Sequence, residues 1–191
     1  MLETIRSFLN FLNNDASNDI QAISKLNNLK VYQNDFLVSK RKQPINQIKK
    51  FFSEEDNKNQ FIPDGIPFQG EFDHFFDLKK GDEFYGFYRI CVLPSKSVEI
   101  HCGFTHFNSL LARRYLQITE HFLKSIIELF PKNKINSECL KSNKKANNYL
   151  LYFCFELKHY DHEINYYLLN CLRFKKKFLK NNNTLLKTKT F

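Results

Sequence analysis

The sequence predicts a single α+β domain in which helices pack against a mixed, mostly antiparallel β-sheet. Three observations favour this fold class. The chain of 191 residues contains 21 Phe and 9 Tyr, and this many rings need a hydrophobic core to bury them. Strand-like runs separated by turn signals occupy the middle of the chain. A long run with helical spacing of its apolar residues follows them.

The N-terminal part is the least regular. Apolar residues at helical spacing predict two helices before Asn28, the second beginning at Ile20 after polar residues that can cap it. Residues 29–62 have no clear period, and residues 63–67 (Pro-Asp-Gly-Ile-Pro) have the composition of a turn or loop. We therefore treat residues 1–62 as a divergent N-terminal part, whose role the sequence does not define.

The remaining elements can be assigned in order. Three runs rich in aromatic and β-branched residues, at 72–78, 83–93 and 97–104, predict an antiparallel meander. An apolar stripe predicts a helix at 109–130, which Pro131 ends. A strand at 135–140, a helix at 143–153 and a hairpin of strands at 155–160 and 164–174 follow. The predicted domain spans residues 1–174, and the basic residues 175–191 are predicted to form a tail.

Composition disfavours several classes of protein. No apolar run approaches the roughly 18 residues of a membrane span, and the N-terminus lacks the basic start of a secretory signal. We therefore expect a cytoplasmic protein without a membrane span. Five cysteines form an odd set without a C-x-x-C pair, which disfavours a disulfide framework. His101, Cys102 and His106 do not supply the four paired ligands of a structural zinc site, so no metal is expected.

Several residues, taken in order, resemble the GNAT superfamily of acyl-CoA-dependent N-acyltransferases. Asn143, Ala146 and Phe155 keep the spacing of the family's Asn-x-x-Ala motif and the Gly-Phe pair that follows it, with Cys154 in place of the glycine. Residues 98–101 (Val-Glu-Ile-His) resemble the family strand that lies beside acyl-CoA, and residues 159–169 resemble the closing hairpin. The resemblance is best over residues 72–174. It implies a sheet that splays between its central strands.

The resemblance also implies the site residues. Glu99 would be the base that helps to deprotonate an acceptor amine. Backbone amides at the start of the long helix would bind the pyrophosphate of acetyl-CoA, because the positive end of a helix favours anions. The residues implied to line the cofactor site are Cys102, Gly103, Phe104, Asn108, Ser109, Leu110, Leu111 and Asn143.

The chain departs from the family pattern at two places. Where family members carry glycines in the pyrophosphate loop, this chain has Leu110 and Leu111, although glycine lets a backbone approach phosphates closely. The position of the tyrosine that protonates the leaving thiolate is occupied by Leu150. Both differences predict that acetyl-CoA binding is weak or absent.

Two classes of function stay open. The first is an enzyme that transfers an acetyl group from acetyl-CoA to an amine. The second is a catalytically silent structural or interaction protein with a degenerate site. Degenerate GNAT-like proteins occur among bacteriophage proteins, including virion components, and the abundance of Lys, Asn, Ile and Phe fits an AT-rich source of that kind.

The net charge of +9 permits an anionic partner. Residues 173–180 interleave basic and aromatic side chains, a pattern that fits docking onto protein subunits and also fits contact with a nucleic acid. A nucleic-acid partner is the less favoured interpretation, because the chain contains no recognised nucleic-acid-binding module.

Overall fold

The structure, a computed structural model, describes residues 20–41, 73–93, 95–105 and 108–179. The predicted cap at residues 17–19, the first predicted helix and the loop at 63–67 lie outside these ranges. The elements in chain order are helical residues 20–27 (α1), β1 (Lys30–Gln33), β2 (Phe36–Lys40), β3 (Asp73–Lys80), β4 (Glu83–Leu93), β5 (Ser97–Phe104), α2 (Ser109–Leu129), β6 (Lys134–Leu140), α3 (Lys144–Tyr152), β7 (Phe155–Tyr160), β8 (Ile164–Leu169) and α4 (Cys171–Phe178).

The described strands form one eight-stranded sheet in the order β1-β2-β3-β4-β5-β6-β8-β7. Every neighbouring pair is antiparallel except β5 and β6, which are parallel. The parallel ladder has three residue pairs, from Ser97 opposite Lys134 to Glu99 opposite Asn136, while the two strands themselves continue to Phe104 and Leu140. The predicted α+β fold class, with a mostly antiparallel sheet that splays between its central strands, is confirmed.

The core lies between the sheet and α2. Ile118, Phe122 and Ile126 of α2 have no exposed surface, which confirms the predicted helical stripe. The ring of Phe122 packs between Phe76 of β3, at a centroid distance of 5.4 Å, and Tyr88 of β4, at 4.5 Å. Aromatic side chains from both layers therefore form the centre of the core, as the high Phe and Tyr content requires.

The first two strands were not predicted from the sequence. They form a hairpin whose turn contains Asn34 in the left-handed region, at φ 55°, a conformation that Asn tolerates better than most residues. Phe36 and Val38 of β2 are buried, and the ring of Phe36 contacts Tyr115 of α2 edge-on, at 6.3 Å. The hairpin thus extends the sheet under the N-terminal half of α2.

The structure corrects the C-terminal boundary of the prediction. The last strand ends at Leu169 rather than at residue 174, and α4 follows it, with Asn170 as its N-cap. Phe174 and Phe178 of α4 are buried, so the basic residues of this helix belong to a packed element and not to a tail. Residues 180–191 lie outside the described part. None of the described helices is long and apolar enough to cross a membrane.

Candidate active site

The candidate site lies where β5 and β6 separate. Because side chains alternate between the two faces of a strand, Glu99 and His101 of β5 share a face with Asn136 and Glu138 of β6. The intervening Val98 and Ile100 belong to the core that α2 covers. The polar side chains therefore lie on the opposite face of the sheet, at the opening between its central strands.

The two carboxyl groups at this opening have different electrostatic environments. A hydrogen bond from His101, assisted by electrostatic interactions with His101 and Arg89, holds the pKa of Glu99 below its usual value, against an opposing effect of burial. Burial raises the pKa of Glu138, and the negative charge of Glu99 raises it further, while His101 and Arg89 oppose the rise. The carboxyl group of Glu99 therefore stays ionised to a lower pH than that of Glu138, and the carboxylate of Glu138 is the stronger base.

Arg89 of β4 forms the next layer of this polar cluster. It lies opposite His101 in the antiparallel ladder, and its guanidinium contacts Asp73 Oδ1 through Nη2 at 2.8 Å and through Nε at 2.9 Å. Both side chains of this ion pair are buried. Because Asp73 holds the guanidinium in place, Arg89 is a fixed positive charge beside the two glutamates.

Along β5, the residues predicted to bind the cofactor direct side chains into the core and leave backbone groups at the strand edge. Cys102 and Phe104 point into the core: burial raises the pKa of the Cys102 thiol to about 12, and Phe104 stacks on Tyr115 at a centroid distance of 4.4 Å. Residues 102–104 pair with β4, and among the described residues they have no ladder partner in β6. Their backbone groups on the β6 side are therefore available to a ligand.

The backbone of Gly103 lies so close to Gly86 of β4 that no residue larger than glycine fits at position 86. A Cβ added to Gly86 of β4 would stand 2.3 Å from the carbonyl oxygen of Gly103 and 3.1 Å from Phe104 Cα. Gly86 therefore allows β4 and β5 to lie close together in the part of β5 that no longer pairs with β6.

The start of α2 is a capped helix N-terminus. Asn108 is the N-cap, and its side-chain oxygen accepts a hydrogen bond from the Leu111 N–H at 2.9 Å. The N–H groups of Ser109 and Leu110 precede any intrahelical acceptor, and the first turn contains no acidic residue. The Leu110 side chain is 66% exposed, whereas Leu111 packs against the core. This helix end can therefore receive an anion.

The two arginines in the first turns of α2 differ in their contacts. Arg114 Nη1 binds both carboxylate oxygens of Asp35, at 2.8 and 3.1 Å, and Lys80 contacts the same carboxylate at 2.7 Å. Arg114 thus ties α2 to the turn between β1 and β2. Arg113 is exposed and is the better placed of the two for a phosphate.

At α3, Asn143 caps the helix, because its side-chain oxygen accepts from the Ala146 N–H at 3.0 Å. Leu150 packs against the core. The neighbouring Tyr149 hydrogen-bonds Thr119 of α2, which also hydrogen-bonds the hydroxyl of Tyr88. Burial raises the pKa of Tyr149 well above its usual value. Its hydroxyl is therefore hydrogen-bonded inside the core.

The structure therefore brings Glu99 to the opening between the strands and places Asn108 and Asn143 at helix caps. It also identifies residues that the sequence analysis did not weigh as catalytic, Glu138 above all, with Arg89 and His101 as its charged or polar neighbours. The signal that could have found Glu138 is the alternation of β6, which places it two residues after Asn136 on the same face.

Comparisons with known proteins agree with this architecture. No family model matches the sequence, and no curated protein matches it. Among solved structures, a probable GNAT-family acetyltransferase from Chromobacterium violaceum superposes with a TM-score of 0.56 at 12% identity, over 73% of this chain and 90% of that chain. A GNAT-family acetyltransferase from Bacillus anthracis gives 0.56 at 15% identity, over 74% and 98%.

An aminoglycoside N(6')-acetyltransferase from Legionella pneumophila gives a TM-score of 0.53 at 11% identity, over 76% of this chain and 98% of that chain. At such low identity the likeness concerns the fold, and not substrates or residues. The protein has the fold of the GNAT acetyltransferases, and this confirms the fold that the sequence resemblance implied.

Proposed function

We propose that this protein is a GNAT-type N-acyltransferase that transfers an acetyl group from acetyl-CoA to an amine. One observation carries the proposal: the β5–β6 ladder stops after three pairs, and two glutamates with opposite pKa shifts lie at the resulting opening. Pairs of acidic groups whose environments separate their pKa values are typical of sites that move protons.

The acceptor amine must lose a proton before it can attack a thioester. Glu138 suits this step, because its raised pKa makes it a better proton acceptor than an ordinary glutamate. Glu99, which stays ionised beside His101, would attract the protonated form of the amine. The amine nitrogen then bonds to the acyl carbon, the carbon–sulfur bond breaks, and the thiolate leaves.

Acetyl-CoA would supply the activated acyl group, and three features of the described residues fit its binding. The free backbone edge of residues 102–104 would hold the extended arm between β5 and β6. The N-terminus of α2, without an acidic residue in its first turn, would face the pyrophosphate. The exposed Arg113 would add a charge-assisted contact.

A titration with acetyl-CoA followed by thermal unfolding tests the proposal. At 100 times its dissociation constant, a ligand adds about 2.7 kcal/mol to the stability of the folded state. We expect a rise in the melting temperature that saturates with acetyl-CoA and is weakened by Arg113→Ala. The matched control is Arg114→Ala, because Arg114 is already bound to Asp35. Absence of any shift at millimolar acetyl-CoA would contradict the proposal.

A catalytically silent scaffold is the second candidate, and the position of Leu150 favours it. Leu150 cannot donate a proton, and the adjacent Tyr149 is hydrogen-bonded to Thr119. On this interpretation the fold serves a structural or interaction role, such as the virion-associated role suggested by residue usage. A folded protein that binds no acetyl-CoA and acetylates no amine would favour the scaffold.

A further inference from the structure

Lys40 lies at the end of β2, on the sheet face that α2 covers and three strands away from β5. It shares this face with the fully buried Val38, two residues earlier. The ladder between β1 and β2 begins at Ser39, so in the described part of the chain Lys40 stands just beyond the end of β1. Its side chain is half-buried.

Within the part of the chain that the structure describes, the Lys40 amine contacts one imidazole and one aromatic ring. Its Nζ lies 2.7 Å from Nδ1 of the buried His74 and 5.6 Å from the centroid of the Phe76 ring. Among the described residues, no carboxylate forms an ion pair with Lys40. The aromatic ring attracts the ammonium charge weakly, whereas the partial burial of the amine disfavours the charged form.

The ionisation of both groups follows from this burial. Desolvation lowers the pKa of Lys40 below that of an ordinary lysine. Desolvation, with the nearby positive charge of Lys40, lowers the pKa of His74 to about 4, against the opposing charge of Asp73. His74 is thus neutral near pH 7, and its Nδ1 accepts a hydrogen bond from Lys40 Nζ. Lys40 reaches the free-amine form more readily than a lysine paired with a carboxylate.

We propose that Lys40 is a site of covalent acylation, at which the Nζ that His74 orients attacks small acyl thioesters. The nitrogen lone pair bonds to the acyl carbon, the carbon–sulfur bond breaks, and sulfur leaves with the bonding electrons. The proton released from nitrogen ends on the departing thiol. The product amide carries no charge at this half-buried position and keeps one N–H, which donates to His74 Nδ1.

Lys80 is the matched comparison within the same chain. It lies at the end of β3, is 45% exposed, and forms an ion pair of 2.7 Å with Asp35. The hydrogen bond and charge of Asp35 raise the pKa of Lys80, so its amine is less often free although reagents reach it more easily. Faster acylation of Lys40 than of Lys80 would therefore report the electrostatic environment of the amine and not its accessibility to the reagent.

The test treats the full-length protein at neutral pH with S-acetyl-N-acetylcysteamine, a thioester without a nucleotide, and quantifies acetylated peptides by mass spectrometry. Because the lowered pKa of Lys40 and the raised pKa of Lys80 both favour the free amine at Lys40, we expect Lys40 to be acetylated several-fold faster than Lys80. In urea, where the fold is lost, the two rates should converge. Since this donor lacks the nucleotide of acetyl-CoA, the outcome does not depend on the proposed enzyme activity. Equal rates in the folded protein, or a preference that persists in urea, would overturn the proposal.

Discussion

Glu99 of β5 pairs with Asn136 of β6 at the last position of the parallel ladder. The next contact between the strands is made by a side chain, because the Ser137 hydroxyl donates to the carbonyl oxygen of Ile100 at 2.8 Å. His101 and Glu138 follow on the same face as Glu99, opposite to Ser137, close enough for an electrostatic interaction with His101 to lower the pKa of Glu138. The end of the ladder therefore coincides with the cluster of titratable groups.

Replacing each glutamate at the opening separates their proposed roles. Glu138→Gln removes the stronger base, and we expect a loss of about 100-fold to 10,000-fold in kcat, the usual contribution of general base catalysis. Acetyl-CoA affinity should not change, because neither residue belongs to the proposed phosphate contacts. Steady-state kinetics with a primary amine, together with calorimetric titration of acetyl-CoA, measures both.

Glu99→Gln is the matched variant, since Glu99 lies on the same face but has a lowered pKa. We expect it to lower turnover less than Glu138→Gln and to raise KM for a cationic amine. If Glu99→Gln abolishes turnover while Glu138→Gln retains it, the sequence-based assignment of Glu99 as the base is the correct one.

Gly86 and Gly103 give a structural test of the opening. Gly86→Ala would place a methyl group 2.3 Å from the Gly103 carbonyl oxygen, so β4 and β5 must move apart. Overpacking of this kind typically costs about 1–3 kcal/mol, and the shift should also weaken acetyl-CoA binding. Chemical denaturation and a binding titration report the two effects.

The control for this substitution is Gly81→Ala. Gly81 has φ 58°, but an added Cβ there meets no atom within 4 Å, so the cost is that of a left-handed alanine, about 1–2 kcal/mol. Cofactor binding should be unchanged in Gly81→Ala. Equal binding losses in both variants would argue that the effect is general destabilisation and not local geometry.

The sequence predicted β4 and β5 with their observed bounds, because alternating aromatic and β-branched residues are interrupted there by clear turn residues. The β1–β2 hairpin could not be recognised in the same way. Its strands have four and five residues, and its turn uses Asn34 and Asp35 without a glycine. Phe36 is buried against Tyr85 and Tyr115, about 50 and about 80 positions later, and local periodicity does not encode such contacts.

The C-terminal helix was missed for a related reason. Residues 164–172 are continuously strand-like in composition, and the change to helix depends on the Asn170 side chain, which accepts from the Arg173 N–H at 2.9 Å. The sequence pattern that indicates this helix is the spacing of Phe174 and Phe178, which are four residues apart and both buried. At the site, Glu99 could be proposed from its own strand, whereas Glu138 needed the register between two distant strands.

Phe122→Ala tests the packing of the core. The ring is fully buried between Phe76 and Tyr88, and truncation of such an aromatic residue costs about 3–5 kcal/mol. Leu110→Ala, at an exposed position on the same helix, should change stability by less than about 0.5 kcal/mol. Urea denaturation measures both, and similar losses would mean that α2 does not pack on the sheet through Phe122.

The buried His74 predicts a specific dependence of stability on pH. Burial lowers the pKa of His74 from 6.5 to about 4 in the folded protein, so the unfolded chain takes up this proton first as the pH falls. The contribution of His74 to stability is therefore fully present above pH 6.5 and is lost as the pH falls through about 4.

In His74→Asn, which keeps a polar side chain but does not titrate, this part of the acid destabilisation should be absent. We expect the melting temperatures of the two proteins to converge between pH 7 and pH 4, as differential scanning calorimetry can show. Melting curves that stay parallel across this range would mean that His74 is protonated equally easily in the folded and unfolded chains, which contradicts its burial.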